Sequence, residues 1–360
     1  MKIILSDATL MHGGAERVVS ILANSLYELG HDVEILLFYD REIWYDINPN
    51  IKITISEKST DGNSKLGHLI WRRKYIKNSG ADVVVSFLAP YNMLNIVTMF
   101  GLKIPLIVAD RNDPHRVPVN KFVRAFRDYL YRFADGIVLQ SSNNRDYFSN
   151  TIRDKSAVIF NPVDVGNFEM AAVRCKDGEK NREIVCVGRV IKQKNPIMLF
   201  NAFSNIANDF PEYKLCYIGD GDMRADIGLL AEQKGLSDRV ELNGPTTSVF
   251  ERIYKSDIFV MTSDYEGMPN ALIEAMCIGL PVISTKVSGA TDVIDSGING
   301  ILVDCGDEKS LENELRRVLS DNEIRKNLGQ NAAKLASSLR VDEITQQWIE
   351  FIENIIRKRG

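Results

Sequence analysis

Short runs that are apolar at nearly every position, each set off by a helix-length stretch, constrain this chain more than any other feature. Residues 33–38, 83–88, 106–109, 136–139 and 157–160 are such runs in the first half. A strand without polar alternation has both faces covered, which is the condition of a parallel sheet between two layers of helices. Residues 2–5 read as the first strand, 6–14 as a loop, and 15–29 as a helix carrying Val18, Val19, Ile21, Leu22, Leu26 and Leu29, closed by Gly30. With the strand at 33–38, the chain opens on a strand–helix–strand unit whose parallel strands lie side by side.

The pattern restarts after the polar stretch 174–182. Residues 184–187, 215–218, 240–242, 258–262, 281–284 and 300–303 form a second series of strands. Because 360 residues are long for one core, the reading is two successive α/β domains, 1–165 and 166–340. A final helix, 341–360, carries Ile344, Trp348, Ile349, Phe351, Ile352, Ile355 and Ile356 and is expected to pack back on the first domain.

Five cysteines, widely spaced and without a C-x-x-C pair, and only four histidines suggest neither a disulfide framework nor a zinc site, and fit a reducing cytoplasm. No apolar run reaches the ~18 to 20 residues that cross a bilayer, and the amino terminus reads as a strand, not a signal segment. The net charge of −4 gives no reason to expect nucleic acid.

Three local patterns carry chemistry. Glu266 and Glu274 lie eight residues apart across the start of a helix, with Pro269 fitting the first helical position. The unpaired amides of that first turn, around Gly267, Met268, Asn270 and Ala271, are suited to a diphosphate or to sugar hydroxyls; a capped core helix with two solvated glutamates is the alternative. Arg189 and Lys194 precede Asn195 and Pro196, which read as N-cap and first helical residue. Cations at a positive helix end call for an anion between them, a diphosphate clamp, unless the loop is simply exposed and screened. Gly13 and Gly14, just after the first strand, allow backbone to approach a ligand, although the G-x-G-x-x-G of a dinucleotide site is absent.

Taken in order, Gly13-Gly14-Ala15-Glu16-Arg17, Asn161-Pro162-Val163-Asp164, Gly188-Arg189 with Lys194-Asn195-Pro196, Gly219-Asp220-Gly221, Glu266 to Glu274, and Ser288-Gly289-Ala290 with Asp292 resemble the retaining glycosyltransferases of family 4. That group includes bacterial lipopolysaccharide, capsule and protein-glycosylation enzymes. The resemblance implies the GT-B fold, two Rossmann-like doubly wound domains facing each other across a cleft. It implies that Arg189 and Lys194 neutralise the donor diphosphate, that Glu274 holds the ribose, and that Glu266 binds hydroxyls of the transferred sugar. It also brings Gly13 and Gly14 to the phosphates, the peptide groups around Gly267, Met268, Pro269, Asn270 and Ala271 to the sugar and diphosphate, and Gly244 to the nucleobase pocket. No metal or other cofactor is expected, since side-chain cations and helix dipoles take that part. Where many relatives carry a histidine, this chain reads Ala109-Asp110-Arg111-Asn112-Asp113-Pro114-His115. Arg111 takes that place, with Asp110 and His115 as further candidates.

The donor implied is a nucleotide diphosphate sugar, UDP-linked, carrying a hexose or N-acetylhexosamine; GDP-mannose is the rival. The implied acceptor is a polyprenyl-diphosphate-linked saccharide in surface polysaccharide or glycan assembly. A sugar-nucleotide 2-epimerase of the same fold and a non-catalytic nucleotide- or lipid-binding subunit are the competing classes. Residues 65–77 (Lys65, Arg72, Arg73, Lys74, Lys77 with Trp71 and Tyr75) and 121–133 (Lys121, Arg124, Arg127, Arg132 with five aromatic residues) read as basic helices. They are expected to hold the first domain on an anionic membrane surface, the inner face of the cell membrane, unless they are solvated faces over ordinary core stripes.

Overall fold

Residues 1–11, 13–59, 65–163, 181–246 and 249–359 are described by a computed structural model of the chain. It divides into two units, Met1–Pro162 with Val341–Gly360, and Val163–Arg340. In the first, β1 (Lys2–Asp7), α1 (Gly14–Glu28), β2 (Asp32–Leu37), β3 (Lys52–Ile55), α2 (Lys65–Asn78), β4 (Val83–Phe87), α3 (Ala89–Met99), β5 (Leu106–Ala109), α4 (Lys121–Tyr131), β6 (Gly136–Leu139), α5 (Ser142–Tyr147), α6 (Asn150–Arg153) and β7 (Ser156–Val158) follow in sequence. The strands form one parallel sheet in the order β3-β2-β1-β4-β5-β6-β7.

Every residue of β4, β5 and β6 is buried, as their unbroken apolar runs require. β3 escapes such a reading because Lys-Ile-Thr-Ile is a part-exposed edge strand with no continuous apolar run. Gly30 closes α1 with φ +84°, and His31 N–H donates back to Leu26 O at 3.1 Å. The C-terminal helix (Val341–Arg359) belongs to this unit. Its Trp348 is fully buried with its ring 6.0 Å from Phe87, and Thr345 Oγ1 donates to Ser25 Oγ of α1 at 3.0 Å.

The second unit runs β8 (Glu183–Val187), α7 (Pro196–Ile206), β9 (Lys214–Ile218), α8 (Arg224–Gln233), β10 (Val240–Asn243), α9 (Val249–Tyr254), β11 (Ile258–Met261), α10 (Asn270–Cys277), β12 (Val282–Thr285), α11 (Ala290–Val293), β13 (Ile301–Val303), α12 (Glu308–Ser320) and α13 (Asn322–Ala333). Its parallel sheet has the order β10-β9-β8-β11-β12-β13. In each unit the winding direction reverses once, between β1 and β4 and between β8 and β11. Doubly wound sheets open a crevice for ligands at that reversal, beyond the carboxyl ends of the strands.

Two expectations are corrected here. Pro269 is the N-cap of α10, with φ −82° and ψ 89°, and the helix begins at Asn270. The basic segments do not present a common basic face. Arg72 is fully buried, stacked 3.6 Å from the Phe38 ring centroid and bonded to Leu37 O, Ser6 Oγ and Asn95 Oδ1. Arg127 is fully buried beside Asp110 and Asp128 and donates to Val117 O and Pro114 O. Arg73 and Arg124 reach backbone carbonyls of Thr98 and Phe100, and of Arg116, Pro118 and Val119. A buried guanidinium needs partners for its N–H groups, and loop carbonyls with two carboxylates supply them. Asp164, Cys175 and most of the polar stretch 174–182 lie outside the described residues.

Candidate active site

In the second unit the segments following β8 and β11 flank the strand-order reversal and are stitched together. Asp264 N–H donates to Gln193 O at 2.8 Å and Gln193 Nε2 to Tyr265 O at 2.9 Å. Thr262 Oγ1 reaches Lys194 O and Asn195 O at 3.0 and 2.9 Å. Asn195, in the left-handed region at φ 46°, caps α7 by accepting from Met198 N, and Pro196 is the first helical residue. This fixes Lys194 so that its Nζ lies 2.5 Å from Glu266 Oε1. Both glutamates are buried, Glu266 at 8% and Glu274 at 4% relative exposure, so solvated helix-end glutamates are ruled out. Buried carboxylates require charge or hydrogen-bond partners, and Lys194 is one for Glu266.

Glycines set how closely these segments approach. Gly289 has φ +78°, and a Cβ there would stand 2.8 Å from Pro269 Cδ and 2.9 Å from Gly267 O and Met268 Sδ. The Ser288-Gly289-Ala290 turn thus supports the Gly267–Pro269 loop from behind, and Met268 and Pro269 are buried there. Gly219, at φ +143°, would set a Cβ 2.1 Å from Gly188 O. Neither position admits another residue without movement of backbone. The amino-terminal turn of α10, which starts at Asn270, carries the positive end of the helix dipole. Arg189 is exposed, and among the described residues its guanidinium has no ion pair or hydrogen bond. Gly244 follows β10, two strands away from β8, with open space where a side chain would be. The donor-side candidates Arg189, Lys194, Glu266 to Ala271, Glu274 and Gly244 all belong to this unit; Gly13, Gly14 and Arg111 belong to the other.

In the first unit Gly13 precedes α1, and Tyr45 fixes it, accepting from Gly13 N at 3.1 Å and donating to Gly13 O at 2.8 Å. Glu16 folds back so that its carboxylate fills the space a Cβ at Gly13 would take. Arg111 follows β5, buried over the rings of Phe87 and Trp348 at 5.3 and 5.5 Å, and donates through Nη1 to Asn161 Oδ1 at 2.8 Å. Burial lowers its pKa to about 10, so it remains a cation at neutral pH. Among the described residues its Nε and Nη2 have no hydrogen-bond partner. Asp110, by contrast, is paired with Arg127 at 3.7 Å and accepts from Tyr131 Oη at 3.0 Å, a core network. His115 is exposed, with its ring against Tyr147.

Residues 12–167 match the model of Glycosyltransferase Family 4 and residues 174–335 that of Glycosyl transferases group 1. Over 364 residues, 99% of each chain, the protein is 30% identical to the Campylobacter jejuni GalNAc-alpha-(1->4)-GalNAc-alpha-(1->3)-diNAcBac-PP-undecaprenol alpha-1,4-N-acetyl-D-galactosaminyltransferase. The chain belongs to the family 4, group 1 glycosyltransferases. A second C. jejuni enzyme, N-acetylgalactosamine-N,N'-diacetylbacillosaminyl-diphospho-undecaprenol 4-alpha-N-acetylgalactosaminyltransferase, is 28% identical over 96% of this chain and 97% of its own. Among solved structures, Anabaena Alr3699/HepE in complex with UDP superposes with a TM-score of 0.81 at 20% identity, covering 98% of this chain and 100% of that one. The glycosyltransferase therefore has the GT-B fold.

Sequence reasoning missed the residues that hold the site together. Gln193, Thr262 and Asp264 tie the two segments across the reversal, yet polar loop residues carry no periodicity that marks them. Asn161, within the Asn161-Pro162-Val163-Asp164 stretch, joins two further segments, its Oδ1 accepting from both Arg111 and Gln140, each at 2.8 Å. Among the described residues one group has metal-ligand proximity, Glu183, Cys216 and Glu241. The bidentate Arg252 guanidinium on Glu183 already fills it, at the amino end of β8 and away from the Lys194 turn.

Proposed function

We propose that this glycosyltransferase moves a hexose or N-acetylhexosamine, with retention of configuration, from a UDP-linked donor to a polyprenyl-diphosphate-linked saccharide at a membrane surface. The observation that carries the reading is the pairing of half-buried Lys194 with buried Glu266 at the strand-order reversal, beside the amino end of α10 and the exposed Arg189. As the bond from C1 to the diphosphate oxygen breaks, negative charge grows on the leaving group. Arg189, Lys194 and the α10 amides are the positive groups placed to receive it, so no metal is called for. Glu266 accepts hydroxyls of the transferred sugar, Glu274 those of the ribose, and Gly244 leaves room for the base. Arg111 stays cationic and has an electrostatic part only, since a guanidinium cannot take a proton at neutral pH. The UDP preference is supported by the HepE complex, and the lipid-linked acceptor by the names of both Campylobacter relatives.

Membrane association is part of the same reading. Among the described residues no helix is long and apolar enough to cross a bilayer. α4, however, turns Phe122, Phe126 and Tyr129 outward at 87%, 54% and 53% exposure, an apolar face suited to the lipid interface. The test is turnover of UDP-, GDP- and ADP-linked sugars with and without a polyprenyl-diphosphate-linked disaccharide, the anomeric configuration of the product being read by NMR. Product of inverted configuration, or turnover of GDP-sugars alone, would refute the respective part.

A further inference from the structure

A guanidinium shut away from water needs partners for its N–H groups and a compensating charge. Arg111, two residues beyond β5, is 7% exposed and has neither in full. Nη1 donates to Asn161 Oδ1 at 2.8 Å, while among the described residues Nε and Nη2 have no hydrogen-bond partner. Those two nitrogens make up one edge of the planar group, the edge that grips a carboxylate or a phosphate through two parallel bonds. The group is also held in place. The rings of Phe87 and Trp348 lie 5.3 and 5.5 Å from its central carbon, and the Asn161 oxygen that fixes Nη1 is itself fixed by Gln140 Nε2 at 2.8 Å.

Two other buried arginines of the same unit are treated differently. Arg127 has Asp110 at 3.7 Å, Asp128 at 2.8 Å and the carbonyls of Val117 and Pro114. Arg72 uses both terminal nitrogens on Leu37 O, Ser6 Oγ and Asn95 Oδ1, which leaves only Nε. Arg111 leaves a whole edge, and the acids around it do not supply the charge. Asp110 is taken up by Arg127 and by the Tyr131 hydroxyl at 3.0 Å. Asp7 acts on Arg111 more than any other acid, but burial raises its pKa well above the carboxylate range and so favours its uncharged form. Burial lowers the Arg111 pKa only to about 10, and the cation persists at neutral pH.

We infer that the Nε–Nη2 edge of Arg111 is a fork for one oxyanion of the nucleotide-sugar donor, either a phosphate or a carboxylate on the transferred sugar. A sugar hydroxyl would satisfy the N–H groups and leave the buried charge uncompensated, whereas an oxyanion does both. Resting on the transferase reading above, this replaces a general electrostatic part for Arg111 with two direct bonds. It also gives the chain a means of telling a uronic acid donor from a neutral hexose, since a carboxylate gains at this edge what a hydroxymethyl group does not.

Calorimetric titration of the full chain with UDP, UDP-glucose and UDP-glucuronic acid separates the two sources. With a phosphate on the fork, Arg111→Gln should bind UDP ~10- to 100-fold more weakly than wild type. With a carboxylate there, UDP should bind both proteins alike, and wild type should hold UDP-glucuronic acid ~10- to 100-fold more tightly than UDP-glucose, a preference that Arg111→Gln abolishes. Thermal unfolding without ligand gives a second readout. Arg111→Gln and Arg111→Met should melt no lower than wild type, because each removes a buried charge that the fold does not compensate. Binding of all three ligands unchanged in Arg111→Gln, or a clear drop in the midpoint of both variants, overturns the fork. A wild type that binds none of the three refutes the UDP-linked donor and the fork together. Arg111-dependent binding by a wild type that passes no sugar to a polyprenyl-diphosphate-linked acceptor would overturn the transferase reading and leave the fork standing.

Discussion

Lys194 Nζ lies 2.5 Å from Glu266 Oε1, joining the turn after β8 to the loop after β11 where the second sheet reverses its winding. A cation expected on the diphosphate and a carboxylate expected on the sugar thus neutralise each other. For the donor to bind as proposed, Lys194 must exchange a carboxylate for a phosphate, and the released Glu266 must find hydroxyls.

That exchange makes the two ends of the pair separable. Glu266→Ala removes the competitor for Lys194 without removing a contact to a nucleotide that lacks the sugar. UDP should therefore bind Glu266→Ala as tightly as wild type or several-fold tighter, while transfer falls at least ~100-fold because the sugar loses an interaction at the reacting end. Lys194→Ala should weaken UDP binding as well as transfer. Calorimetric titration with UDP beside single-turnover transfer checks both; weaker UDP binding in Glu266→Ala would contradict the exchange.

Gly289→Ala tests the support behind the Gly267–Pro269 loop. At φ +78°, with three atoms of that loop within 2.9 Å of the new methyl group, alanine forces either backbone strain or displacement of the loop. Stability should drop by ~1 to 3 kcal/mol, seen as a lowered midpoint in thermal unfolding. Gly30→Ala also carries a positive φ but meets nothing within 4 Å, and should cost only the conformational part. Equal losses in the two variants would show that contact with the loop contributes nothing.

The sheets were legible because a strand buried on both faces announces itself as an apolar run. β3 was not, since an edge strand shows neither a run nor a clean alternation. Within the site, Asn195 and Pro196 could be placed from cap chemistry alone, whereas Pro269, carrying the same sequence signal, sits one position earlier than that chemistry suggests. The burial of Arg72 and Arg127 is the larger failure. Helical periodicity finds the faces of a helix but not which one turns inward when Arg127 can recruit Asp110, Asp128 and two carbonyls. Buried polar networks of this kind are assembled from distant segments, and nothing in local sequence signals them.

Asp7, at the carboxyl end of β1, should leave a mark on stability against pH. Burial raises its pKa well above the usual carboxylate range and the nearby Glu16 charge adds to this, while the Ala8 amide and Arg111 oppose it. A folded carboxyl with a raised pKa keeps its proton after the unfolded chain has released its own, near pH ~4. The folded state then binds more protons, so this group makes stability fall as pH rises from there until the folded pKa is passed. Asp7→Asn can keep the Oδ1 bond from Ala8 N and lacks the charge. Its unfolding midpoint should match wild type near pH ~4 and exceed it at pH ~7.5. A variant less stable at the higher pH would mean that Asp7 is ionised and held by its neighbours.

The face of α4 gives the last test, and it is the one the buried arginines redirect. Phe122, Phe126 and Tyr129 recur at spacings of four and three, so they share one side of the helix, with Arg127 on the other. Phe133 and Phe100 continue the patch, their rings 5.9 Å apart and exposed at 47% and 65%. An anchor built this way gains most of its energy from apolar area and little from charge. Exchanging Arg72 or Arg127 for glutamate would disturb the core and say nothing about lipid. Phe122→Ser with Phe126→Ser instead removes two exposed rings, each worth roughly 1.5 to 3 kcal/mol if fully transferred from water. Vesicle co-sedimentation should fall by ~100-fold or more in that double variant, while thermal stability stays close to wild type because the lost rings face solvent. Wild-type binding should persist in ~0.5 M salt and extend to uncharged vesicles, since screening weakens exposed charge contacts but not apolar burial. Binding abolished by salt and unaffected by the two serines would assign the anchor to exposed lysines and arginines instead.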